Sequence, residues 1–165
     1  MTTTETTEQA AWNILESVSD PEIPVLSVVD LGVVRKVEWK GAMPHITITP
    51  TYSGCPAMKV IEEDIRKAFA ERGYEEITIH TVLSPPWTTD WLSESGKVKL
   101  KAYGIAPPQG SSEDKSQLFA EPKKIDCPNC ASNNTSLKSQ FGSTPCKALY
   151  VCNDCLEPFD YFKCL

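Results

Sequence analysis

Residues 33–73 read VVRKVEWKGAMPHITITPTYSGCPAMKVIEEDIRKAFAERG, and the period of this run changes three times. Val33 to Trp39 has the composition of a strand. Lys40 and Gly41 have turn chemistry, and His45 to Thr49 alternates as a second strand, so the first half is a β-hairpin. A loop from Pro50 to Gly54 leads to Cys55. Pro56 suits a first helical position, where the missing N–H costs nothing. Met58, Ile61, Ile65 and Phe69 then recur at spacings of three and four, which predicts a helix to about Arg72, closed by Gly73.

Upstream, residues 8–18 put Trp12, Leu15 and Val18 on one helical face, with Thr6 or Thr7 as cap. Asp20 stands before Pro21, a position that disfavours the α region and ends that helix. Downstream, Glu75 to Leu83 alternates as a third strand. Ser84 to Trp87 reads as a loop, and Thr88 or Thr89 caps a short helix carrying Asp90, Trp91 and Leu92. Lys97 to Ile105 reads as a final strand or extended arm. The expected fold class is α/β: a small α-β-β-α-β-α domain over residues 8–106, after a disordered N-terminus at 1–7. A Pro-, Gly- and Ser-rich linker follows over 107–124, and residues 125–165 form a second, cysteine-rich β module.

The chain has 165 residues, 41% hydrophobic, with a formal net charge of −6. Up to Ala120 there are 11 basic and 17 acidic residues, and beyond it five of each. A generally basic nucleic-acid binder is therefore not expected. No apolar run approaches the ~20 residues that span a bilayer, so no membrane association is expected. The first nine residues lack a basic and then apolar leader pattern, and the expected location is cytoplasmic.

Seven cysteines are present, six of them in the last 39 residues. Cys127 and Cys130 form one CxxC pair and Cys152 and Cys155 another, with 21 residues between the pairs. An odd number in a chain expected in a reducing compartment makes a disulfide framework the weaker reading. The spacing is that of a two-knuckle, four-cysteine zinc site, and a ~40-residue module needs such a staple to fold. Iron in the same cage is the alternative. The usual glycine after each second cysteine is replaced by Ala131 and Leu156, a departure that removes no ligand. Cys146 and Cys164 have no assigned role. A thioredoxin-like use of Cys127 and Cys130 lacks its βαβ surroundings, and a nucleic-acid-binding ribbon lacks net positive charge. Aromatic side chains near the C-terminus are expected to be exposed and to serve protein docking.

Cys55 stands apart from the others, just before a predicted helix. The positive end of the dipole and the N–H groups there favour a thiolate, the form that binds soft metals or attacks electrophiles. The alternative is a buried small residue. Asp20, Glu22, Asp30 and Asp90 lie in the predicted loops, and Asp20 and Asp30 are equally read as turn caps. His45 and His80 fall on predicted strands far from Cys55 in sequence. A cysteine hydrolase therefore has no identified base.

The segments DPEIPV at 20–25, VDLGV at 29–33, TPTYSGCP at 49–56 and PPWTTDW at 85–91 resemble the signature blocks of the small SufT-type iron–sulfur-assembly domain. Together with a two-CxxC tail ending LEPFDYFKC at 156–164, the arrangement resembles the PaaD (PaaJ) family, accessory components of bacterial phenylacetyl-CoA epoxidase (ring-1,2-epoxidase) systems. The resemblance implies a non-enzymatic role in maturing iron–sulfur or iron centres. It implies Cys55 as the iron- or cluster-handling ligand, with Asp20, Glu22, Asp30 and Asp90 around it. The partners it implies are the [2Fe–2S] reductase or the oxygenase component of the epoxidase, and the iron–sulfur assembly machinery. Self-association stays open. The competing reading is a structural or electron-transfer component whose tail holds redox-active iron.

Overall fold

The first helix forms because Ala11, Ile14 and Leu15 recur at spacings of three and one and are all buried. The structure, a computed structural model, describes residues 3–110 and 122–163. Helix α1 spans Thr3–Glu16, starting earlier than the expected residue 8 and running into the segment 1–7 expected to be disordered. The expected linker lies mostly, and Cys164 entirely, outside the described residues. Contacts divide the chain into two units: residues 1–87 with 91–93, and residues 88–90 with 94–165.

In the first unit β1 (Val34–Lys40) and β2 (Met43–Ile48) pair antiparallel, from Val34 opposite Ile48 to Lys40 opposite Met43. Helix α2 (Ala57–Ala70) is the crossover to β3 (Thr78–Thr81), which runs parallel to β2 with His45 opposite Thr78. The sheet order is β1-β2-β3. Ala57, Met58, Ile61, Ile65 and Phe69 are the buried face of α2, as their spacing predicts. Gly73 closes the helix with φ +90°, while the Tyr74 N–H bonds back to the Phe69 carbonyl at 3.0 Å. On the solvent side of the sheet the His45 Nδ1 and His80 Nε2 atoms lie 3.3 Å apart, with rings stacked across the strands. Both histidines thus lie on strands, as the sequence pattern predicts.

The second unit begins with a correction. Residues 94–103 are helix α3 (Glu94–Tyr103), where alternation predicted a strand or arm. Only β4 (Ile105–Ala106) is extended. It pairs parallel with β7 (Pro158–Phe162), Ile105 opposite Asp160, so residues 94–106 belong to the second unit and not to the first domain. β5 (Thr135–Ser139) and β6 (Lys147–Cys152) complete a sheet of order β4-β7-β6-β5. Its core is Ala106, Ile125, Ala148, Tyr150, Phe159 and Tyr161 with two of the cysteines. The C-terminal aromatics are thus interior. Among the described residues, the large exposed apolar side chains of this unit are Val98, Tyr103, Phe141 and Leu156. Among the described residues no helix is long and apolar enough to cross a membrane.

One backbone approach holds the first unit's loops together. Gly32 has φ +72°, and a Cβ there would lie 2.3 Å from the Trp91 carbonyl oxygen. Gly41 has a similar φ of +66° but open space around it. Gly32→Ala is therefore expected to cost about 3 kcal/mol, strain plus displacement, and Gly41→Ala about 1 kcal/mol, strain alone. Denaturant unfolding of the two variants measures the difference.

Candidate functional site

Cys127 and Cys130 form the turn before β5. Cys152 ends β6, and Cys155 begins the connection to β7. Each turn closes the same way: the Cys127 N–H donates to the Ser132 carbonyl at 2.8 Å and the Cys152 N–H to the Glu157 carbonyl at 3.0 Å. This brings the four Sγ atoms within 4.8 Å of one another. Cys127 and Cys155 are 3.7 Å apart, Cys130 and Cys152 3.6 Å. A tetrahedral ion with metal–sulfur bonds of ~2.3 Å needs sulfur–sulfur edges of ~3.8 Å, whereas a disulfide needs ~2.05 Å. The geometry is that of a metal cage, and none of the described cysteines is in a disulfide.

The replaced glycines occupy the expected conformation. Ala131 has φ +62° and Leu156 φ +65°, the left-handed region usually left to glycine. That conformation turns the following N–H groups toward sulfur, Ser132 toward Cys130 and Glu157 toward Cys155, while inside the second CxxC turn the Asp154 and Cys155 N–H groups point at Cys152. The Cys155 and Asp154 N–H groups and the neighbouring thiols draw the Cys152 thiol down to about 7 against its burial. At Cys155 the Glu157 N–H favours the thiolate, but desolvation and the other three cysteines outweigh it and push the thiol up to about 12. Four thiolates at these distances repel one another unless a cation stands among them, so binding an ion must expel protons.

A polar clamp joins the two turns, and sequence reasoning did not anticipate it. The Ser132 hydroxyl donates to Asp154 Oδ2 and the Asn134 amide to Oδ1 at 2.8 Å. Asn153 donates to Asn134 Oδ1 at 3.1 Å and to the Ser136 hydroxyl at 2.9 Å. Its only signal was that Asn153 and Asp154, the two residues inside the second CxxC, are turn formers.

Cys55 sits in the first unit at the mouth of α2, one residue before its N-cap, Pro56. It is half-buried. Its N–H donates to the Tyr52 carbonyl at 3.2 Å, and the Thr51 hydroxyl lies 4.0 Å from its sulfur. Gly54 holds φ +78° beside it, with nothing within 4 Å of where a Cβ would be. At the base of the loop Thr49 is fully buried, and its hydroxyl has no partner among the described residues.

The four acidic residues named with Cys55 are dispersed in their roles. Asp20 Oδ1 accepts the N–H groups of Glu22 and Ile23, both at 2.8 Å, and braces the turn after α1. Asp30 accepts the Ser27 N–H at 3.2 Å and the Ser93 hydroxyl at 2.9 Å. Glu22 is half-buried and Asp90 exposed, the latter on a 3-10 turn at Thr89–Trp91. Among the described residues, the four tail cysteines alone gather three or more ligand atoms.

Comparison with known proteins follows the same division. Residues 8–77 match the family described as "Iron-sulfur cluster assembly protein", and residues 111–163 match the "PaaD zinc beta ribbon domain". An Escherichia coli (strain K12) protein described as a putative 1,2-phenylacetyl-CoA epoxidase subunit is 48% identical over 155 residues, 93% of this chain and 91% of that one. The chain belongs to the PaaD family. The first unit is also similar to YitW of Bacillus subtilis (strain 168), named as an Fe-S protein maturation auxiliary factor. The identity is 39%, covering 52% of this chain and 85% of YitW. A crystal structure of the DUF59 domain from Bacillus anthracis superposes with a TM-score of 0.54 at 33% identity, covering 58% of this chain and 92% of that one. These curated relatives are named as an auxiliary factor or as a component of a larger system, not as catalytic enzymes in their own right.

Two substitutions probe this geometry. Leu156 is exposed, so Leu156→Gly relieves left-handed strain without losing core contact; a gain of about 1 kcal/mol in metal-loaded stability is expected in thermal unfolding. Thr49→Val removes the buried, unpartnered hydroxyl. Denaturant midpoints should show a gain of about 1 kcal/mol in the first unit.

Proposed function

We propose that this protein matures an iron–sulfur or iron centre of the phenylacetyl-CoA epoxidase system in phenylacetate degradation, with the [2Fe–2S] reductase component as client. The observation that carries the reading is the pairing of two unlike sulfur sites on one chain. A half-exposed cysteine on the loop of an assembly-type domain precedes a four-cysteine cage of the PaaD type. A carrier must release what it binds. One thiolate offers iron an incomplete ligand set, which a client with more thiolates outcompetes. In this reading Asp20 and Asp30 hold loops of the same unit as Cys55, and no direct role at the sulfur is assigned to Glu22 or Asp90. The cage has the opposite property: four thiolates around one ion leave no open position. We assign it structural zinc, in a cytoplasm that keeps thiols reduced.

The test is to produce the reductase alone, with this protein, and with its Cys55→Ala variant. Iron and acid-labile sulfide in the purified reductase should rise severalfold with the wild-type protein and fall back with the variant. Equal cluster content in all three preparations would exclude the role. The same purified protein should be colourless with one zinc per chain. A visible iron–thiolate band that bleaches on reduction would instead favour an electron-transfer component.

A further inference from the structure

The second unit presents a surface that metal binding does not use. Helix α3 and the turn between Cys127 and Cys130 wall an open groove of about 590 Å³, lined by Val98, Lys101, Tyr103, Pro128 and Asn129. Gly96 and Leu100 turn one side of α3 into the core. The outward side nevertheless keeps large apolar groups: Val98 is 69% exposed and Tyr103 55%. Val98 and Lys101 stand three residues apart and so share a helical stripe. Lys97 is already paired with Glu94 at 2.7 Å. The Lys101 ammonium makes no hydrogen bond or ion pair among the described residues, so its charge is available in the groove. The C-terminal aromatics, expected from sequence to form a docking surface, are buried, which leaves this groove as the better candidate.

We infer that the groove formed by α3 and the first CxxC turn docks an acidic, apolar-tipped segment of a partner protein, a carboxylate meeting Lys101 and an aliphatic or aromatic side chain packing on Val98 and Tyr103. Charge selects this occupant. Residues 94–165 carry nine basic and eight acidic groups, so this part of the chain has no large net positive charge to draw a phosphate polymer or an anionic bilayer. One unpaired ammonium beside apolar walls matches a single carboxylate next to a hydrophobic side chain. The inference rests on the maturation reading for its client, and it names the chemistry by which that client is recognised.

The experiment follows amide resonances of the metal-loaded full chain while three capped tetrapeptides are added: Asp-Glu-Leu-Phe, Asn-Gln-Leu-Phe and Lys-Lys-Leu-Phe. The acidic peptide should move Val98, Lys101, Tyr103, Gly104 and Asn129 and bind about fivefold tighter than the neutral one, the size of one exposed ion pair. Lys101→Glu, an exposed helical site whose fold is checked by unchanged metal content, should transfer that preference to the basic peptide. Equal binding of the acidic and neutral peptides, shifts confined elsewhere, or indifference to Lys101→Glu would overturn the inference. So would tighter binding to a DNA duplex or phosphatidylserine vesicles, or self-association that Lys101→Glu abolishes. Peptide binding does not require iron transfer. Intact peptide selectivity with unresponsive client clusters would therefore retain the groove and reject the maturation role, and the converse would do the reverse.

Discussion

Four sulfur atoms within 4.8 Å of one another set the terms for the second half of this chain. As thiols they crowd, and as thiolates they repel. Only an ion among them makes the arrangement favourable. The hydrophobic core beside them is short: Ile125, Ala148, Tyr150, Phe159 and Tyr161 with Ala106 and two of the ligands themselves. The metal is thus part of the core. Removing it exposes charge repulsion in the place where the strands converge, and the polar clamp of Ser132, Asn134, Asn153 and Asp154 is too exposed to replace it.

Much of this was legible in the chain because the signals were local. The hairpin from Val34 to Ile48, the helix from Ala57 and the paired CxxC turns each carry their instruction within a few residues. Helix α3 was not legible. Lys97, Val98, Lys99, Leu100 and Lys101 alternate, which is the period of a strand, yet Val98 faces water and Gly96 and Leu100 are buried four apart. Tertiary burial overrode the pattern. The partner that extends Ile105 and Ala106 is β7, more than fifty residues away, and no local period could announce it.

The site residues divide in the same manner. Ligand type and spacing fixed the tail cysteines, since four thiolates in two CxxC turns have few other uses. Carboxylates have many. Asp20 and Asp30 were named both as neighbours of Cys55 and as turn caps, and each accepts hydrogen bonds from nearby backbone N–H groups. A carboxylate whose oxygens are engaged by fixed donors is a poor site for an ion that must come and go. These two residues therefore hold the shape of their own loops.

On the proposed reading, a tight cage and a lone thiol on one chain raise the question of why the cage would not capture iron in transfer. The ordering of divalent-metal affinities supplies an answer: thiolate sites hold zinc more tightly than ferrous iron, and a closed tetrahedral set offers no vacant position for exchange. On that reading a zinc-filled cage would be inert toward cargo. Cys55, with a glycine at φ +78° on one side, open space around that glycine and a helix start on the other, has no such closure. Selectivity between the two sulfur sites then follows from the number of ligands each can assemble, and no separate gating device is required.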